Sequence, residues 1–323
     1  MYNISSATSA LVAAAARAGF AKGLAAAKNP IHEVIATRVD SDSEIETYAW
    51  LGNVPQLAPW RGVRSVAALP EQSYTIRNKK FSANIGFDLD TVRREKLGQI
   101  SQRTQDVGTR ARAFPIRLVV EALVTGASKN CYDGQYFFDT DHVDPGAKNQ
   151  TAQSNIVTQE AATGTNPTAA EMELAVDSAL SKLRSFVDDQ GEPWAFDEDL
   201  HFLVPPAFQK AANLVLGDGN GLTAADVSGA SGAFRGAGAI HVLPAIPAAQ
   251  TRLGLTTDNK MWVVNTAGAI KPFIYQVEKD ITPVILDASS EFAKLTNKVL
   301  FGVDTNMGAG YGLWQYAVEI QFT

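Results

Sequence analysis

A chain of 323 residues with 46% hydrophobic and 19% charged content can bury roughly three-quarters of the surface it exposes when unfolded, enough for one or two compact units without metal or disulfide support. The formal net charge of -6 excludes nucleic-acid affinity as the main task, because phosphate neutralisation needs an excess of Lys and Arg on the contacting face. The single cysteine, Cys131, excludes an intramolecular disulfide and a Cys-rich zinc module, fits a reducing compartment, and reads as a small buried hydrophobe.

Leu11 to Ala27 is Ala-rich, with Arg17 and Lys22 ahead of any acidic residue. No basic residue precedes the apolar run, which disfavours a secretory signal. No stretch approaches the roughly 18 uncharged apolar residues of a membrane span, so a soluble, cytoplasmic protein is expected. Residues 1–45, closing on Asp40-Ser41-Asp42-Ser43-Glu44, read as an arm unable to make its own core. The start at Met1 carries the expectation that no large propeptide is missing.

Trp50 to Trp60 mixes aromatics with Gly and Pro and reads as an irregular segment pinned by its large side chains. Gly62 to Leu69 and Ser73 to Phe87 are rich in β-branched and aromatic residues. Tyr74 and Ile76, then Phe81, Ala83, Ile85 and Phe87, fall at alternate positions, the period of a strand. The simplest picture is a long two-stranded excursion, interrupted at Arg77-Asn78-Lys79-Lys80, that is marginal alone and needs a neighbour.

From Asp88 or Asp90 the chain turns helical to about Phe114. Pro115 then restarts or kinks the helix, which continues through Leu118, Val119, Ala122 and Leu123 to Gly126. It is unusually polar from Arg93 to Arg112, so it must lie on a surface or contact another subunit. Thr168 and Glu171 have the spacing of a capping box. Met172, Val176, Leu180, Leu183 and Val187 then share one helical face.

A short strand at His201 to Val204 precedes a helix opened by Pro205-Pro206 and a Gly/Ala/Ser-rich stretch from Gly217 to Gly238, read as a mobile loop. Strands follow at Ile240 to Leu243, Lys260 to Asn265 and Lys271 to Val277. The chain closes with strands at Lys298 to Val303 and Leu313 to Phe322, separated by Asn306-Met-Gly-Ala-Gly310. Helix and strand interleave with neither an internal repeat nor a βαβ rhythm, which points to an α+β fold.

No nucleotide-binding, zinc-protease or nucleophile-elbow motif occurs, and Gly217-Asp-Gly-Asn-Gly221 has the wrong spacing for a phosphate cradle, so no catalytic or cofactor-binding residue is assigned. Asp139-Thr-Asp141-His142-Val-Asp144 gathers three carboxylates and an imidazole within six residues. Its spacing does not match an EF-hand loop, and a hydrogen-bonded turn is preferred to a metal site. His32, His201 and His241 are scattered and read as structural. Arg61, Arg64, Arg77, Lys79 and Lys80 place five cations on the excursion, either as a solvated face or as a contact with a partner.

The run Cys131-Tyr-Asp-Gly-Gln-Tyr-Phe-Phe-Asp-Thr-Asp-His142 resembles the Mu-like major head subunit family. Four further stations are similar to that family, in the same order: Trp50-Leu-Gly with Trp60, Tyr74 to Phe81, Lys271-Pro-Phe-Ile-Tyr-Gln276, and Phe301-Gly-Val-Asp304 through Tyr311-Gly-Leu-Trp-Gln315. The likeness runs over nearly the whole chain except the Ala-rich arm and the Gly-rich stretch. It departs just after Asp90, where Thr91-Val-Arg-Arg replaces a more acidic segment.

The resemblance implies the tailed-bacteriophage major capsid fold of the Hong Kong ninety-seven type. On that map residues 1–45 are the N-terminal arm, 46–57 the start of the peripheral domain, 58–86 the extended loop and 87–165 the peripheral domain with its spine helix. Residues 166–275 are the axial domain, and 276–323 return to the peripheral domain. It also implies a homo-oligomer of hexamers and pentamers, assembled in the bacterial host cytoplasm into an icosahedral head shell. The shell would enclose double-stranded DNA contacted non-specifically, with scaffold, portal and decoration proteins as further partners and no membrane or cofactor.

Trp60, Arg61, Arg64, Arg77, Lys79, Lys80, Arg93 and Arg94 are the candidate inter-subunit contacts. The alternatives are the shell of an encapsulin-like compartment or gene transfer agent and, more distantly, a metal-dependent hydrolase using Asp139 to Asp144.

Overall fold

The computed structural model describes residues 6–26, 31–48, 74–89, 98–144, 150–188, 191–194, 197–217, 233–255, 259–287 and 289–323. The segment Trp50 to Trp60, the strand expected at Gly62 to Leu69, and most of the Gly-rich stretch lie outside them.

The alternation of Phe81, Ala83, Ile85 and Phe87 is realised as β4 (Lys79–Asp88), one residue after β3 (Tyr74–Arg77). β4 is not paired to β3: it lies antiparallel on β10 (Lys298–Tyr311), with Phe87 opposite Val299, Ile85 opposite Phe301 and Ala83 opposite Val303. β10 pairs antiparallel with β9 (Phe273–Leu286), and β1 (Ala36–Asp40) adds in parallel, giving the order β1-β9-β10-β4. β3 instead pairs antiparallel with β2 (Ile45–Tyr48). The second run of the expected excursion is therefore a strand of a sheet within its own chain.

Side chains alternate across a strand, so Phe87, Phe301 and Val303 share one face of this sheet. Two helices cover it. Val12, Ala16 and Phe20 of α1 (Ser6–Ala25) and Ile100 of α3 (Gly98–Arg112) are buried with Phe301 and Val303 in a small second core. The helices cross at backbone contact. A Cβ at Gly19 would stand 2.3 Å from the Ser101 carbonyl oxygen, one at Gly23 2.1 Å from that of Gln105, and one at Gly108 2.4 Å from that of Phe20. Only glycine fits such a crossing.

The segment expected to be an arm without a core thus borrows one from α3 and β10. The polar helix expected to need a surface or another subunit buries its Ile100, Thr104 and Gly108 stripe within the same chain. The helix breaks at Ala113, as Pro115 led one to expect. α4 (Phe114–Thr125) restarts with that proline in its first turn, where a missing N–H costs nothing. Its Val119, Val120 and Leu123 enter the main core, next to α2 (Ile31–Ile35).

A second sheet has the order β5-β11-β8-β6-β7, built from β5 (Ile156–Gln159), β6 (Leu200–Val204), β7 (Ala239–Val242), β8 (Lys260–Asn265) and β11 (Ala317–Phe322). α5 (Ala169–Arg184) packs on it with Met172, Val176, Leu180 and Leu183 buried. The capping box is present: the Thr168 N–H donates to Glu171 Oε2 at 2.8 Å and the Glu171 N–H to Thr168 Oγ1 at 3.3 Å. The Ala162 and Thr168 amides hold the Glu171 carboxyl below the usual carboxylate range. Beyond the sheet lie α6 (Gln209–Leu216), α7 (Ala245–Leu253) and α8 (Glu291–Thr296).

Four expectations fail locally. Val187 lies past the end of α5 and forms a bridge with Pro193. Residues 36–40, taken as part of a polar arm, are the edge strand β1. Asn306 to Gly310, read as a separator, continues β10: a Cβ at Gly310 would stand 2.6 Å from Ile76 Cδ1, so glycine there marks close packing and not a turn. Residues 317–322, expected to return with the peripheral part, are bonded to β8 and β5 in the second sheet. Among the described residues no helix is long and apolar enough to cross a membrane.

Candidate functional site

Four of the five stations singled out in the sequence meet in space. The His142 ring stacks on Trp314 with centroids 4.1 Å apart and planes at 9°, joining the Cys131 to His142 run to the Tyr311 to Gln315 run. Phe137 stacks on Tyr311 at 4.6 Å and meets Phe273, of the Lys271 to Gln276 station, at 5.1 Å. The Tyr311 N–H donates to Tyr74 OH at 3.1 Å, and burial pushes that phenol up to about 12. Gln276 Nε2 donates to the Ile76 carbonyl at 3.0 Å and to Asn78 Oδ1 at 2.9 Å. Asn78 Nδ2 in turn donates to the Ser43 carbonyl at 2.8 Å, which fixes the polar run before β2. These residues form a buried knot that ties the β2–β3 pair to the four-stranded sheet.

The acidic cluster within this knot is a hydrogen-bonded turn. The Tyr136 and Thr140 amides donate to Asp139. Asp144 is buried and accepts from Gln315 Nε2 at 3.0 Å and Gln150 Nε2 at 2.9 Å. Cys131, Asp133 and His142 bring one potential ligand atom each within 4.8 Å of one another. The Asp133 carboxylate there is already engaged by Cys131 Sγ at 3.0 Å, the Gln135 N–H at 3.0 Å and His142 Nδ1 at 2.6 Å. That arrangement satisfies a buried carboxylate without an ion. Burial pushes the Cys131 thiol up, first by desolvation and then through Asp133, so it is the neutral thiol that donates. The pairing of Asp133 with His142 was not anticipated; an Asp nine residues before a His gives no periodic signal.

Of the candidate contact residues, Arg77, Lys79 and Lys80 are described and exposed, whereas Trp60, Arg61, Arg64, Arg93 and Arg94 lie outside the described residues. Arg77 Nε donates to Glu44 Oε1 at 2.9 Å. Among the described residues neither Lys79 nor Lys80 has an ion-pair partner. Consecutive strand residues face opposite sides, so the two lysines point away from each other. Lys79 joins Phe81, Arg117 and Lys129 in lining a groove of about 540 Å³ between β4, β10 and α4. Its acid, Glu121, is held by Arg117 at 3.0 Å and by Arg252, which leaves the groove cationic.

The family described as the Mu-like prophage major head subunit gpT matches residues 10–167 and 248–323. The chain belongs to the Mu-like prophage major head subunit family. It is 27% identical over 303 residues to the Mu-like prophage FluMu major head subunit of Haemophilus influenzae, a match covering 94% of this chain and 69% of that protein. It is also 36% identical over 135 residues to the major capsid protein of Escherichia phage Mu, covering 40% of this chain and 44% of that one.

Solved structures agree on the fold. The procapsid subunit of bacteriophage JBD30 superposes with a TM-score of 0.57 at 21% identity, over 98% of this chain and 76% of that chain. The capsid subunit of cyanophage P-SCSP1u gives 0.61 at 11% identity, over 90% and 87%. The fold is the α+β tailed-phage major capsid fold that the resemblance implied, and the role is that of a structural subunit of a Mu-like phage head. The match to a head subunit family does not favour a compartment shell or a hydrolase.

Proposed function

We propose that this head subunit assembles into hexamers on the faces and pentamers at the vertices of an icosahedral shell around double-stranded DNA, in the cytoplasm of a bacterial host. The observation that carries the contact scheme is the exposed pair Lys79 and Lys80 at the start of β4, without an ion-pair partner among the described residues, in a chain of net charge -6. Cations of this kind suit docking on an acidic surface of the next copy. Asp40 and Asp280, with side chains 79% and 69% exposed on neighbouring strands, share the single Arg38 guanidinium at 2.9 and 3.3 Å, which leaves that surface one negative charge in excess for such a contact. A contact between unlike patches repeats around a ring, and closed symmetry limits its growth.

On this reading residues 58–86 supply the extended loop, with β3 and β4 as the part that returns into the chain's own sheets, and Trp60, Arg61, Arg64, Arg77, Lys79, Lys80, Arg93 and Arg94 contact neighbours. The axial domain is 166–275, enlarged by β5 and β11. Scaffold, portal and decoration proteins are further partners, and packaged DNA is contacted non-specifically, as an acidic wall allows.

The test is charge reversal, Lys79→Glu and Lys80→Glu, singly and together, with circular dichroism to check folding and electron microscopy to count closed shells. The double variant should fold and fail to close shells. Because the lysines face opposite sides, the single variants show which face docks. Normal particles from the double variant remove the role given to these cations.

A further inference from the structure

Residues 168–247 fall between the two stretches matched by the family. β6 and β7 run parallel in that region, with His201 opposite Ala239 and Leu203 opposite His241. The alternation of a strand places both histidines on one face, as diagonal neighbours at the sheet edge. Their rings converge: His201 Nδ1 lies 2.9 Å from His241 Nε2. Asp199 Oδ2 stands 3.4 Å from the other nitrogen of His201 and is itself held by Thr266 Oγ1 at 2.7 Å. At 3.4 Å Asp199 makes no hydrogen bond with that nitrogen, but its charge favours a proton there, which turns the lone pair of Nδ1 toward His241.

We propose that His201 and His241 form a two-nitrogen chelating site for a divalent transition-metal ion of the zinc, nickel or copper class. Neutral imidazole is the preferred donor for these ions. Metal–nitrogen bonds of about 2.0–2.1 Å at a tetrahedral angle set the two nitrogens roughly 3.3 Å apart, so the present pair needs to open by only a few tenths of an ångström. Asp199 is the outer carboxylate beside His201. The remaining coordination positions go to water or to a donor from a second copy. Binding would strap the edge strand β7 to β6.

The alternative for the same geometry is a shared N–H···N proton, and a metal titration separates the two. The full chain is titrated with Zn²⁺ against a chromophoric chelator and, separately, with Cu²⁺ followed by electron paramagnetic resonance. One ion per chain is expected, with a copper spectrum carrying two imidazole nitrogens. Affinity should fall at least roughly tenfold in His241→Gln and in His201→Gln, and be retained in Cys131→Ser. The copper spectrum of the unaltered chain stands alone as a test should a variant misfold. No saturable binding, a spectrum with fewer than two nitrogens, or binding undiminished in folded His241→Gln overturns the proposal.

Discussion

The crossing of α1 on α3 makes a prediction whose sign opposes helix propensity. Replacing Gly108 by Ala in a helix interior should on propensity alone stabilise the protein by about 1 kcal/mol. In the fold, however, the new Cβ would sit 2.4 Å from the Phe20 carbonyl oxygen, and real contacts essentially never fall under 3.0 Å, so α1 must retreat by about 0.6 Å or more. Overpacking of this kind costs roughly 1–3 kcal/mol and loosens Val12, Ala16 and Phe20 from their small core. Gly108→Ala should therefore be destabilising on balance, and Gly108→Leu more so. Gly98→Ala, in the same helix with nothing within 4 Å of its Cβ, should be neutral or stabilising. Urea unfolding gives the order of stabilities, and hydrogen exchange of the α1 amides reports the docking directly. A Gly108→Ala protein as stable as Gly98→Ala, with equal protection in α1, would refute the crossing.

Three further outcomes follow from local chemistry. Thr168→Ala should cost about 1 kcal/mol by removing the cap of α5, read as a lower urea midpoint. Because the Glu171 carboxyl is held below its ordinary value, its contribution is complete above the unfolded value of about 4.3 and lost as pH falls through the lower folded value; Glu171→Gln should flatten stability over that window. His142→Ala strips one of three donors from the buried Asp133 carboxylate and the stack from Trp314, and should cost on the order of 3 kcal/mol in chemical denaturation. An unchanged midpoint would place the knot outside the cooperative unit.

What the sequence revealed, and what it hid, have physical causes. Met172 to Leu183 were legible because a single buried face imposes its own period on the chain, and Phe81 to Phe87 because Phe81, Ile85 and Phe87 are half-buried on one side of β4. The Thr168 and Glu171 cap was legible because it is satisfied within four residues. Gly308 and Gly310 misled because a glycine reads the same whether it makes a turn or lets Arg77 and Ile76 approach β10. β1 was hidden because only one of its five residues is fully buried, so its Arg38 and Asp40 blended into the polar run that follows. The knot was visible only as separate motifs: Asp144 and Gln315 stand 171 positions apart, and no local pattern announces their hydrogen bond. Four of the motifs that carry the family likeness turn out to hold the fold together, whereas the described contact candidates, Arg77, Lys79 and Lys80, are exposed cations with no pattern beyond their charge.

The central claim, that this subunit builds a closed shell, is tested most directly by negative-stain electron microscopy of the purified full chain, alone and with a candidate scaffold at matched concentration. The account predicts closed shells, or rings of five and six subunits, in at least one condition. A monodisperse monomer or dimer in both would contradict it.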